Sequence, residues 1–156
     1  MPVVRLDLTF QLALAARGIP EPAFFETAGA AALSALENPP ERAEVTLRVV
    51  GRREGRQLNY RFREIDKPTN VLSFPASGLE AVAPNFLGDI VICAPLVAAE
   101  ASEQGKLRRA HYAHLLIHGL LHLLGFDHVT AAPAARMERL EQRVMASLGF
   151  ADPYAA

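Results

Sequence analysis

Three histidines at regular intervals are the residues of this sequence with the clearest chemical potential. His118, His122 and His128 lie in the segment HGLLHLLGFDH, four and six residues apart. Residues four apart share one face of a helix, so His118 and His122 can direct both imidazoles at one point. Gly125 can end that helix, because glycine enters the left-handed conformation without steric penalty, and the returning chain can bring His128 to the same point. Three imidazoles around one cation, with a fourth position left for water, are typical of a catalytic zinc site.

The alternative for any one of these histidines is an ordinary core residue with a satisfied hydrogen bond. All five histidines of the chain, however, lie between residues 111 and 128, among mostly apolar neighbours. Several imidazoles without partners in such surroundings would be costly, and a metal ion removes that cost. His111 and His114 continue the stripe toward the N-terminus. Since three nitrogens and a water complete a tetrahedral set, we expect these two to line or support the site.

The spacing HxxxHxxGxxH is also that of the metzincin metalloproteases, with one difference. Those enzymes carry a glutamate after the first histidine as general base, and this chain has Gly119 there. Glycine cannot accept a proton from water. Conventional zinc-peptidase chemistry therefore lacks its base.

The elements that must position the histidines follow from hydrophobic periodicity. A chain of 156 residues, 51% of them hydrophobic and 21% charged, is typical of one globular domain. Its pattern predicts strands near residues 4–8, 44–50, 70–74 and 87–93, and helices near 21–36, 52–62, 95–104, 106–124 and 133–148. In the helix at 52–62, Leu58 and Phe62 are predicted to pack inward. We expect a single α+β domain over residues 1–156, with helices on a small mixed sheet and the histidine helix at the centre.

Cysteine content and charge indicate in which compartment the protein acts and what kind of molecule it binds. The sequence has one cysteine, and its pattern indicates neither a leader peptide nor a membrane-spanning segment. We therefore expect a reducing, cytoplasmic location without a membrane partner. The net charge is −1, yet residues 44–67 hold seven basic side chains against four acidic ones. This local charge suits a specific anionic substrate. A solvated helix face explains most of these arginines equally well.

The histidine motif closely resembles the signature of the YbeY family, metal-dependent endoribonucleases of bacterial ribosomal RNA maturation. Further segments resemble the family in the same order: Leu58-Asn59 followed by Arg63, then Lys67 to Pro75, then Leu87 to Ile92. The resemblance implies a zincin-like fold and one Zn²⁺ per chain, with His118, His122 and His128 as its ligands. It also implies cleavage of single-stranded RNA in maturation of the 3′ end of small-subunit (16S) rRNA and in ribosome quality control, with ribosomal or ribosome-assembly proteins as partners.

The resemblance further implies a catalytic arginine, Arg63, near the metal. It can hold phosphate oxygens in a two-pronged contact, or it can form a structural ion pair with Glu64 or Asp66. A zinc-bound water with a pKa of about 7 can either attack the phosphodiester or deprotonate the ribose 2′-hydroxyl. Asp127 can orient a ligand imidazole or fix the turn after the helix.

Two other functions are compatible with the residues. One is a zinc peptidase that takes its base from the loop at residues 75–85, where Glu80 is the candidate. The other is a non-catalytic ribosome assembly factor whose metal stabilises the fold while its basic segment binds ribosomal RNA or protein.

Overall fold

The computed structural model describes residues 4–126 and 131–155, which form four strands and five helices. In chain order these are β1 (Arg5–Leu12), α1 (Pro22–Ser34), β2 (Arg42–Val50), α2 (Arg52–Arg63), β3 (Val71–Pro75), β4 (Phe86–Cys93), α3 (Ala94–Gln104), α4 (Arg108–Leu123) and α5 (Ala131–Ser147). Each coincides with a predicted element, with ends displaced by up to four residues. None of the helices in this part of the chain combines the length and apolar character needed to cross a bilayer.

The strands form one mixed sheet in the order β1-β2-β4-β3. The pairs β1–β2 and β2–β4 are parallel, whereas β3 runs antiparallel to β4 at one edge. Parallel neighbours require a crossover connection, and α1 supplies the one between β1 and β2. The predicted α+β domain with a small mixed sheet is confirmed.

The main core lies between the sheet, α1, α4 and α5. Leu47 and Ile92 of the sheet are fully buried in it, as are Leu116 and Leu120 of α4. The predicted apolar packing of the histidine helix on the sheet is therefore confirmed. Burial of this face fixes which side of α4 remains for its histidines.

A smaller cluster on the sheet includes Leu72 and Cys93, with Leu58 of α2 packed against it. The predicted inward packing of Phe62 is wrong, because this side chain is 55% exposed. Phe62 lies in the last turn of α2, where its ring contacts the Phe74 ring edge to face, with centroids 4.9 Å apart. Since β3 is an edge strand, this turn of α2 borders a cleft rather than the core.

Candidate functional site

The end of α4 sets the position of the histidine pair. Gly125 adopts φ +93°, in the region that favours glycine, and its N–H donates to the carbonyl of His122. The Phe126 N–H donates to the carbonyl of Leu121 at 3.0 Å, which completes a Schellman motif. The predicted helix end at Gly125 is confirmed. Asp127 and His128 lie outside the described residues.

His118 and His122 direct the same ring atom at each other, with their Nε2 atoms 3.1 Å apart. The Nδ1 atom of His122 lies 3.0 Å from the carbonyl oxygen of Phe126. Because a carbonyl can only accept, this Nδ1 carries the proton and Nε2 carries the lone pair. The Nδ1 atom of His118 lies 3.2 Å from the Glu141 carboxylate, which assigns the same tautomer. Two ligands of a tetrahedral zinc ion with bonds near 2.05 Å are about 3.3 Å apart, so the pair fits such an ion.

Glu141 of α5 is a fully buried carboxylate that three side chains hold in place. Its Oε2 accepts from His114 Nε2 at 2.6 Å and from His118 Nδ1 at 3.2 Å, and its Oε1 accepts from the Tyr154 hydroxyl at 2.8 Å. Burial would raise the pKa of Glu141, but the hydrogen bonds from His114 and His118 outweigh it and lower the pKa to about 2. The group is therefore an anion that fixes the ring of His118.

His114, His118 and Glu141 also form a possible metal-binding group. Their ligand atoms lie within 4.8 Å of one another. The same atoms are joined by hydrogen bonds of ordinary length, so protons hold the three groups together. Among the described residues, a cation could therefore lie on either side of the His118 ring.

A cleft of about 600 Å³ brings Arg63 together with His118 and His122, and its other walls are Phe62 and residues 69–75. Arg63 is exposed and forms no ion pair with another described residue. Asp66, one of its two predicted partners, instead binds Arg56 through two hydrogen bonds of 2.7 and 3.0 Å. The alternative of a structural ion pair for Arg63 is therefore not formed in this part of the chain.

The cleft wall formed by β3 is attached directly to α4. Ser73 Oγ donates to the Gly119 carbonyl oxygen at 3.0 Å. A Cβ added at Gly119 would lie 3.0 Å from this Oγ and 3.1 Å from Ile90 Cγ2. A side chain at position 119 would therefore require these neighbours to shift by a few tenths of an ångström. This close packing favours glycine at the position where metzincins carry their base.

The family model described as "Endoribonuclease YbeY" matches residues 23–149 of the chain. The "Endoribonuclease YbeY" proteins of two bacteria are similar over nearly their whole length. That of Stenotrophomonas maltophilia (strain R551-3) is 49% identical, covering 97% of this chain and 95% of that protein. That of Alkalilimnicola ehrlichii is 51% identical, covering 96% of this chain and 91% of that protein. This chain belongs to the YbeY family of endoribonucleases.

A solved structure gives the same fold at lower sequence similarity. The solution structure of TM1509 from Thermotoga maritima superposes with a TM-score of 0.57 at 22% identity, covering 95% of this chain and all of that one. The likeness concerns the fold alone. It supports the arrangement of helices and mixed sheet that carries the YbeY motif here.

Two residues beside the YbeY motif were not predicted as part of the site. These are Glu141 of α5 and Tyr154 of the C-terminal segment. A signal for Glu141 exists, because it lies within the apolar stripe of α5 between Met137, Leu140 and Val144, all buried. A carboxylate in such a stripe requires partners. Tyr154 has no comparable signal in the sequence.

Proposed function

We propose that this chain is a zinc-dependent endoribonuclease that cleaves single-stranded RNA during maturation of the 3′ end of small-subunit (16S) rRNA and in ribosome quality control. Membership of the YbeY family supports the reaction class. The observation that carries the proposal is one cleft that exposes an arginine beside two oriented imidazoles. The whole chain, residues 1–156, is proposed to act as one hydrolase domain in the cytoplasm, with ribosomal or ribosome-assembly proteins as partners.

One zinc ion per chain is proposed to bind on the Nε2 side of His118, with His122 and His128 as the other protein ligands. Binding on the opposite side would require His118 Nδ1 to give up the proton that it donates to Glu141. Binding through Nε2 leaves that hydrogen bond intact. A carboxylate behind a ligand histidine is a common arrangement at zinc sites, where it fixes the ring and raises its basicity. When bound, the metal supplies a water molecule of lowered pKa at this end of the cleft.

Arg63 is proposed to bind the non-bridging oxygens of the scissile phosphate. Its guanidinium is planar and offers paired donors that match a phosphate, and no described carboxylate competes for it. Phe62 lies next to it and is half exposed over the cleft, so its ring offers a surface on which a base can stack. These groups favour an RNA strand over a peptide as the occupant.

The cleft lining also bears on the peptidase alternative. None of the described residues that line the cleft carries a carboxylate, and Glu80 is not among them. A peptidase would therefore need its proton acceptor from elsewhere in the chain. The RNA substrate remains the better fit.

The proposal is tested by incubating zinc-loaded protein with unstructured RNA and, separately, with casein, each with and without chelator. Cleavage of RNA alone, lost with chelator and lost in Arg63→Ala, is the expected result. Cleavage of casein would identify a peptidase. Binding of RNA without cleavage of either substrate would identify the assembly factor.

A further inference from the structure

A second cavity, of about 530 Å³, lies on the outer face of α2. Its lining includes four side chains of α2 and one residue of the following segment: Arg52, Arg53, Arg56, Tyr60 and Pro68. All three arginines are exposed, and the tyrosine ring is 59% exposed. An exposed aromatic ring among arginines is a combination that neither core packing nor helix stability requires.

This cavity and the proposed catalytic cleft are lined by successive residues of α2 and of the segment that follows it. Arg52, Arg56, Tyr60 and Arg63 follow one another at intervals of four, four and three residues. Such spacing places them in one stripe, which runs for about 16 Å at 1.5 Å per residue. Pro68 precedes Thr69, which lines the cleft. A strand bound at Arg63 therefore meets this stripe as it leaves the cleft.

The charges of the cavity suit a chain of phosphates. Arg56 uses Nε and Nη2 to bind Asp66, which holds its guanidinium in place while Nη1 lies outside the pair. Arg52 and Arg53 form no ion pair with any residue in the described ranges. Three arginines against one aspartate leave the cavity positive. An acidic protein segment would satisfy the arginines, but an exposed ring beside cationic side chains is the combination by which proteins hold single strands, through base stacking and phosphate contacts.

We propose that the cavity on α2 is an extension site for single-stranded RNA, in which Arg52 and Arg53 bind phosphates and a base stacks on Tyr60. The inference rests on the proposed function, because the strand is the substrate of the neighbouring cleft. It adds that several nucleotides on one side of the scissile bond contribute to binding. Long single strands should therefore bind more tightly than short ones.

The test compares fluorescein-labelled oligouridines of about 16 and about 4 nucleotides. Their binding to zinc-loaded protein is followed by fluorescence anisotropy over a range of salt concentrations. A gel confirms that the RNA stays intact under these conditions. Arg52→Ala/Arg53→Ala should weaken binding of the long strand and reduce the slope of log K against log salt by about 1.4, about 0.7 per phosphate contact in single strands. Tyr60→Ala should weaken it about tenfold, and Tyr60→Phe should bind like wild type. Both effects should be larger for the long strand than for the short one.

The matched control is Arg139→Ala/Arg143→Ala, which removes the same charge from exposed positions on α5. Its affinity and salt slope should equal those of wild type. An equal loss in this control would reduce the effect to net charge and overturn the inference. Wild-type affinity and a wild-type salt slope in the α2 variants would also overturn the inference. An acidic protein would then be the remaining occupant of the cavity. The endoribonuclease proposal would be unaffected. Absence of RNA binding by the wild type would overturn both.

Discussion

His118 and His122 of α4 are held by partners of different kinds. His122 donates to a main-chain carbonyl, which no side-chain substitution removes. His118 donates to Glu141, a buried anion that is itself fixed by His114 and Tyr154. The orientation of His118 therefore depends on residues far away in the sequence. The proposed metal site should be sensitive to α5 as well as to its own helix.

Zinc content separates the two positions available to a cation. We expect His122→Ala to lose nearly all bound zinc, because it removes a proposed ligand. His114→Ala should retain close to one zinc per chain, since it removes only a hydrogen bond to Glu141. Elemental analysis of the purified variants measures both. Loss in His114→Ala with retention in His122→Ala would place the metal in the His114–His118–Glu141 group instead.

Glu141→Gln should weaken zinc binding by about 10- to 100-fold, the usual effect of removing a charged partner behind a ligand histidine. The glutamine has nearly the same shape and its carbonyl can still accept from His118, so the fold should persist. Competition with a chromophoric chelator measures the affinity. Glu138→Gln, an exposed change one turn earlier on α5, is the control. Equal zinc affinity in both variants would exclude this role for Glu141.

Arg63→Lys should not restore the activity lost in Arg63→Ala, because lysine keeps the charge but lacks the planar pair of donors. Removing one transition-state contact costs about 3 kcal/mol, roughly a hundredfold in rate. Zinc content and thermal stability should stay near wild type in both variants, since Arg63 is exposed. RNA cleavage at saturating zinc measures the effect. Full activity in both variants would remove the proposed phosphate contact, and full activity in Arg63→Lys alone would show that the charge suffices without the planar pair of donors.

At the level of elements, local sequence patterns were sufficient for most of the fold. The period of α4 and the glycine after it are local signals, so the helix, its end and its buried face could be predicted. The exposure of Phe62 could not, because helical periodicity does not reveal that the last turn of α2 overhangs an edge strand. The role of Glu141 could not either, since its contact with His114 spans 27 residues and depends on how α5 docks on α4.

The junction of β3 and β4 depends on a glycine for a reason that the sequence does not show. Gly88 has φ +140°, and a Cβ there would overlap the carbonyl oxygen of Phe74 and lie 3.0 Å from the Ala76 nitrogen. Gly88→Ala should therefore lower the free energy of unfolding by more than about 1 kcal/mol, since it combines strain with a clash against main chain. Gly78→Ala is the control, because Gly78 also has positive φ but open space around it. Urea denaturation should show the smaller loss there, and equal losses would mean that the clash is relieved by movement of β3.

At the scale of the whole molecule, the C-terminal segment contacts Glu141, the carboxylate that holds His118 of the proposed metal site. Lys106, before α4, donates to the Pro153 carbonyl oxygen at 2.7 Å, and the next residue, Tyr154, donates to Glu141. Burial and the charge of Glu141 raise the pKa of the Tyr154 hydroxyl, so it remains a donor at physiological pH. Residues near the end of the chain thus stabilise a carboxylate that orients a proposed ligand. Folding of the tail and formation of the site should be coupled.

Tyr154→Phe tests this coupling by removing one oxygen atom. Glu141 would keep its contacts with His114 and His118 but lose the donor to Oε1, which leaves one oxygen of a buried anion without that partner. We expect the free energy of unfolding to fall by about 1–3 kcal/mol, the cost of such a group. Zinc affinity should fall less than in Glu141→Gln, because the carboxylate charge remains. Urea denaturation and chelator competition measure the two effects, with Tyr60→Phe, the same change at an exposed ring, as control. If Tyr154→Phe is as stable as wild type and as Tyr60→Phe, the tail is not coupled to the site through Tyr154.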